Sequence, residues 1–184
     1  YDDSMWLINL VENLLSVTRI ENGSMNIHET PELLEEVVQE ALRHINRKKA
    51  EHRITFEQED DLLMARMDSR LVIQVIINIV DNAIKYTPPG SHIDIQTKRE
   101  GEWAVVTIAD DGPGIADDVK KRLFDMFFTT DHTHGEGRRG LGLGLSLCKS
   151  IINAHGGTIS VQDNIPRGTV FRFTLHAEKE FHLE

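Results

Sequence analysis

A chain of 184 residues, 40% hydrophobic, is long enough for one well-packed domain plus an appendage and short for two full domains. Thirty acidic residues against twenty basic ones give a formal net charge of -10, which argues against general affinity for nucleic acid or anionic lipid, so phosphate binding would need a local site. The single cysteine, Cys148, excludes an intramolecular disulfide and sits in an apolar helical run, as a core residue of a reducing compartment does; no signal-peptide pattern or apolar run of about 18 residues is present.

The chain opens mid-helix on a charged, capless start, as a fragment of something longer does, and the closing Leu183-Glu184 has the form of a cloning scar. Asp3 to Glu21 reads as a helix, with Leu7, Leu10, Leu14 and Val17 forming a stripe that needs a partner helix and Asn22-Gly23 as its stop. After an extended link from Met25 to His28, Thr30 and Pro31 offer an N-cap and a first-turn proline to a second helix running to about Lys49. Its face of Leu33, Leu34, Val37, Val38, Ala41, Leu42 and Ile45 should pack on a sheet. Arg53 to Glu57 and Leu63 to Met67 are short strands, and a helix from Arg70 ends at Thr87-Pro88-Pro89-Gly90. Ser91 to Lys98 and Trp103 to Ala109 alternate as a hairpin. A Gly-rich turn, a short helix near Asp117 to Phe124 and a charged loop, TTDHTHGEGRRG, come next. A third main helix runs from about Gly142 to His155, and strands Thr158 to Gln162 and Thr169 to Leu175 finish the chain. Mixed helices and mostly antiparallel strands predict an α+β two-layer sandwich with the first helix outside it.

The chemistry concentrates in a few places. On the helix after Arg70, Asn78, Asn82 and Lys85 recur at i, i+4 and i+7, forming one polar stripe on an otherwise apolar helix, with Tyr86 beside it. Carboxamides and a cation in a row suit phosphate oxygens and a hard cation such as magnesium; the same residues also suit a capped helix whose Asn side chains bond backbone. Asp110-Asp111-Gly112-Pro113-Gly114-Ile115 leaves a strand, so its first carboxylate can accept from an exocyclic amine while the glycines let backbone approach a flat ligand; a plain Asp-Gly turn is the alternative. Gly140-Leu141-Gly142-Leu143-Gly144-Leu145 is a loop entering a helix, whose free amides favour phosphate. It is neither a P-loop, lacking Gly-Lys-Ser/Thr, nor a dinucleotide fingerprint: although Asp163 lies near the distance that motif requires, the spacing is GxGxG after a charged loop.

Taken in order, these motifs resemble the ATP-binding domain of sensor histidine kinases, within the gyrase, Hsp90 and mismatch-repair ATPase superfamily. NIVDNAIKY (Asn78 to Tyr86) is similar to the family's N box, DDGPG to its G1 box, Phe124 to Phe128 to its F box and GLGLGLSL to its G2 box. Ala154-His155-Gly156-Gly157 and Arg167-Gly168-Thr169-Val170-Phe171 resemble its closing segments, so the likeness spans essentially the whole chain. It implies a Bergerat-type fold, ATP and Mg2+ as cofactors, and these roles: Asn82 on magnesium, Lys85 on phosphate, Tyr86 by the base, Asp110 on the adenine amine. Gly112, Gly114, Ile115 and Phe124 would shape the base pocket. Gly140, Leu141, Gly142, Leu143, Gly144 and Leu145 would hinge a lid over Phe127 to Leu141 and offer amides to phosphate, with Thr169 joining the adenine network. Arg138 or Arg139 could approach the γ-phosphate or remain solvated in the loop. In related ATPases the position of Asn78 holds a glutamate that activates water; an amide cannot act as general base, which favours phosphoryl transfer over hydrolysis.

The resemblance further implies two parts: residues 1–24 as the second helix of a dimerisation hairpin, and residues 25–184 as the catalytic and ATP-binding domain. None of the nine histidines stands in the family's acceptor motif; His28-Glu29-Thr30-Pro31 imitates its ends two residues short, and His132 and His134 lack a third metal ligand nearby. SMWLINLVENLLSVTRIENG (Ser4 to Gly23) resembles the Kdp-type potassium-responsive sensor kinases. The intact protein would then be a homodimeric bacterial inner-membrane sensor with this portion in the cytoplasm, passing its phosphoryl group to a response regulator. Two rivals stay open: a hydrolytic or serine-directed member of the superfamily, and an interaction module that keeps only the fold.

Overall fold

The computed structural model describes residues 27–45, 51–125 and 143–179. The first helix expected, Asp3 to Glu21, lies outside them, as does the expected lid, Phe127 to Leu141.

In chain order the elements are β1 (Thr30–Leu33), α1 (Leu34–His44), β2 (Arg53–Gln58), β3 (Met64–Met67), α2 (Ser69–Tyr86), β4 (His92–Glu100) and β5 (Trp103–Asp110). They are followed by α3 (Asp117–Lys120), α4 (Leu143–Ala154), β6 (Ile159–Asp163) and β7 (Thr169–His176). The main sheet has the order β2-β4-β5-β7-β6, antiparallel except where β2 and β4 pair in parallel. That exception follows from connectivity, since β3 and α2 intervene as a crossover between β2 and β4.

Period-two alternation places Ile93 and Ile95 of β4, Ala104, Val106 and Ile108 of β5, and Phe171, Phe173 and Leu175 of β7 on one buried face. α2 lies on β4 and β5, α4 on β6 and β7, and α1 flanks α2, giving two layers with the core between them. α2 buries Val72, Val75, Ile76, Ile79 and Val80. Each such side chain contributes about 1.5–3 kcal/mol on burial, which outweighs the roughly 1 kcal/mol forgone because Asp68 makes no side-chain cap bond. The Asp68 carboxylate instead accepts from the His28 N–H (3.4 Å) and the Arg70 guanidinium (3.3 Å). Burial opposes its ionisation, and those donors overcome it and hold the carboxyl below its usual range.

Two expectations are corrected. Thr30 and Pro31 do not open a helix: Thr30–Leu33 is a strand paired antiparallel with Met64–Met67, and α1 starts at Leu34, whose N–H donates to the Leu63 carbonyl at 2.9 Å. Strand pairing with β3 overrode the local Thr-Pro signal. The apolar face of α1 (Leu34, Val37, Val38, Ala41) packs chiefly against α2 rather than on the sheet. Elsewhere among the described residues the expected strands and helices appear with ends shifted by a few residues, and the short helix near Asp117 closes after Lys120 into turns.

Candidate functional site

The site is built where β5 and α2 both end. β5 runs out at Asp110, which stands between Ile93 of β4 and Thr169 of β7 in register. Its side chain is buried, and Oδ1 accepts the Gly112 N–H at 3.0 Å. Burial pushes this carboxyl above its usual range and Asp111 adds to the effect, while backbone N–H groups of Gly112 and Thr169 oppose it. A buried carboxylate is an acceptor only, so it suits an amine donor.

Gly112 is required by space rather than by backbone conformation. A Cβ there would lie 2.5 Å from Thr87 Cγ2 and 3.1 Å from Asp110 Oδ1, closer than atoms pack. Gly114, by contrast, sits at φ +83°, where a side chain is strained. Thr87 follows α2 and is itself fixed: its hydroxyl donates to the Ala83 carbonyl at 2.8 Å and accepts from His52 Nε2 at 2.9 Å. Thus the end of α2 is pressed against the turn that carries Asp110.

On α2, Asn78 spans two helices. Its Oδ1 accepts from Gln74 Nε2 at 2.8 Å, and its Nδ2 donates to the Gly144 carbonyl of α4 at 3.4 Å. Asn82 lies one turn on, half-buried, and Lys85 Nζ sits 5.2 Å from the centre of the Tyr86 ring, which is 40% exposed. Ile115 and Phe124 are half-buried against the core, with Phe124 edge-on to Phe171 at 6.2 Å. Gly144 and Leu145 belong to α4, and Thr169 is buried beside Asp110. The structure therefore brings the Asn helix, the Gly112 turn, Thr169 and the start of α4 to one end of the sheet. Arg138, Arg139, Gly140, Leu141, Gly142 and the remainder of the Phe124 to Phe128 segment after Asp125 lie outside the described residues, and α4 is described from Leu143.

Cys148 is a core residue as expected: burial pushes its thiol up to about 12, and Sγ lies 3.7 Å from the Val75 carbonyl. His52, Thr87, Asn164 and Arg167 had not been read as site residues. Thr87 and Arg167 had appeared only at the margins of motifs, and nothing in the local sequence singles out His52 or Asn164. A shallow cavity of about 370 Å³ lined by Glu57, Gln96, Lys98, Val105 and Thr107 contains none of the site residues. Among the described residues no group of three or more His, Cys, Asp or Glu could hold a metal, and no helix is long and apolar enough to cross a membrane.

The donor set fits an adenine nucleotide: a buried acceptor for an amine, glycine backbone that lets a flat ring approach, and carboxamides with a lysine for phosphate and its counter-ion. Residues 67–179 match the model of the histidine kinase-, DNA gyrase B- and HSP90-like ATPases, and the chain belongs to that family.

Within it, this is a catalytic domain of the histidine kinase type. It is 42% identical over 178 residues to sensor protein KdpD of Clostridium acetobutylicum, covering 97% of this chain but only 20% of the relative. The chain thus spans about a fifth of that relative's length. The catalytic domain of histidine kinase ThkA superposes with a TM-score of 0.72 at 32% identity, covering 81% of this chain and 95% of that domain. A second structure, ThkA in complex with response regulator protein TrrA, gives 0.71 at 28% identity and covers 92% of this chain and 48% of the other.

Proposed function

We propose that this chain binds Mg-ATP and directs its γ-phosphoryl group to a histidine outside these residues, for relay to an aspartate of a response regulator. The observation that carries the reading is Asp110: a buried carboxylate in a turn too tight for any residue but glycine at position 112. Asp110 would accept from the adenine amine, with Gly112, Gly114, Ile115 and Phe124 around the base and Thr169 beside it. Tyr86 would pack by the ring, Lys85 would meet phosphate, and the Asn82 amide oxygen would ligate magnesium. When bound, ATP supplies the transferable phosphoryl group and magnesium disperses its charge.

Asn78 distinguishes transfer from hydrolysis. Its amide, engaged by Gln74 and by the Gly144 carbonyl, has no basic lone pair with which to activate water. Among the nine histidines none has the acceptor motif, which supports an acceptor outside this chain. The resemblance of Ser4 to Gly23 to Kdp-type potassium-responsive kinases extends the reading to potassium or osmotic signalling by a dimeric, membrane-anchored sensor.

Calorimetry with ADP and magnesium is the first test: no binding by a folded chain would sink the reading and favour an interaction module. Incubation with labelled ATP should then leave this chain unlabelled while a dimerisation hairpin added in trans gains an acid-labile phosphohistidine. Label on this chain alone would overturn the assignment of an outside acceptor. Multiple-turnover hydrolysis abolished by Asn78→Ala would instead place the chain with the hydrolytic members.

A further inference from the structure

The turn joining β6 to β7 reaches across the sheet end and takes hold of the Asp110 turn. Asn164 Nδ2 donates to the Asp110 carbonyl at 2.8 Å, and its backbone N–H donates to the Gly168 carbonyl at 2.9 Å. Arg167 Nε donates to the Gly112 carbonyl at 3.0 Å. Gly168, at φ +111°, lies so close that a Cβ there would fall 1.9 Å from the Asp110 carbonyl oxygen. Lys120 closes the far side, its Nζ 2.7 Å from Asp163 Oδ1 and 2.8 Å from Asp117 Oδ1.

The peptide units gripped are the ones that aim the buried carboxylate. The carbonyl held by Asn164 is that of Asp110 itself, and the peptide held by Arg167 follows the Gly112 N–H that Oδ1 accepts. Between them, Asp111 is fastened to β4: its Oδ1 accepts the His92 N–H at 2.8 Å and its own N–H donates to the His92 carbonyl at 3.3 Å. Every residue from Asp110 to Gly112 therefore has a polar tie to another element, and rotation of the turn breaks several ties together.

We propose that Asn164 and Arg167 are positioning residues for purine selection, holding the Asp110 turn so that its carboxylate accepts from a 6-amino purine and rejects a 6-oxo purine. This rests on the nucleotide-binding reading above. A 6-oxo base presents an acceptor to a carboxylate that also only accepts, so discrimination depends on how firmly that carboxylate is aimed.

The test is calorimetry of the 184-residue chain with ADP and with IDP in the presence of magnesium, beside thermal unfolding. The parent is expected to prefer ADP. Arg167→Ala and Asn164→Ala should each weaken ADP by about five-fold and leave IDP nearly unchanged, which is the loss of about one net hydrogen bond. Arg167→Lys, whose ammonium can still donate to the Gly112 carbonyl, should keep most of the preference. An unchanged ADP-to-IDP ratio in both alanine variants, whether affinity holds or falls equally for the two nucleotides, overturns the inference and leaves the proposed function standing. A parent that binds no ADP removes both.

Discussion

Gly112→Ala puts the packing at the site to a direct test. The added Cβ would meet Thr87 Cγ2 at 2.5 Å, Thr87 Cβ at 3.3 Å and Asp110 Oδ1 at 3.1 Å. Thr87 cannot swing away without losing its bonds to the Ala83 carbonyl and to His52, and the turn cannot retreat without stretching the Gly112 to Asp110 bond. Either route loses one or two hydrogen bonds at about 1 kcal/mol each, or retains overpacking of similar size, so the expected cost is roughly 2 kcal/mol. For a chain of this length that lowers the midpoint of thermal unfolding by roughly 4–8 °C. The assay is thermal and urea unfolding of the parent, Gly112→Ala, Thr87→Ser and the double variant. Serine keeps the hydroxyl and lacks the offending methyl, so the double variant should recover most of the loss. If Gly112→Ala is as stable as the parent, or if Thr87→Ser brings no relief, the contact argument fails.

Further outcomes follow from the same residues. Asp110→Asn should weaken ATP and adenosine alike, by roughly tenfold to a hundredfold, since a bond to a charged acceptor is lost. Its effect on stability has a definite sign. A carboxyl raised by burial favours the folded state below its ordinary value of 3.8, and that contribution is lost as pH rises through the raised folded value. Above that range the ionised group is a burden that asparagine lacks. Asp110→Asn should therefore equal or exceed the parent in urea unfolding at pH 7 and forfeit that advantage as pH falls toward 3.8. Asn82→Ala should weaken magnesium-dependent ATP binding about tenfold or more while leaving adenosine affinity nearly intact, measured by calorimetry with and without magnesium. His155→Ala should cost roughly 3 kcal/mol in urea unfolding, because it deprives the buried Asp68 N–H of its acceptor and leaves a cavity. A loss under about 1 kcal/mol would show that this bond does not anchor the start of α2.

The strands and main helices were legible because burial on one face writes a period into them: β5 alternates along WAVVTIAD, and α2 keeps its apolar face through every turn. Asp110 was legible for the same reason, since a strand that ends in Asp-Asp-Gly delivers a carboxylate where the strand runs out into a turn. The start of α1 was misread because Thr30-Pro31 carries a helix-start signal, and only β3, more than thirty residues later, shows that a strand partner is available. Asn164 and Arg167 were not legible as ligands of the Asp110 turn, since they bond residues 54 and 55 positions away. Nothing local records such a meeting. The same holds for His52, which reaches Thr87 across 35 positions.

The two antiparallel hairpin turns of the main sheet differ in what an engineer can do with them. At the β4–β5 turn, Gly101 sits at φ +61°, which strains a side chain there, but a Cβ would have nothing within 4 Å, so the space around that corner can take a tag or an inserted reporter domain that keeps the glycine. The β6–β7 turn is longer, from Asn164 to Gly168, yet an insertion there would pull Asn164, Arg167 and Gly168 away from Asp110 and Gly112. A sensor for nucleotide should therefore be spliced at Gly101 when it must stay silent, and at the β6–β7 turn when occupancy is meant to change its output.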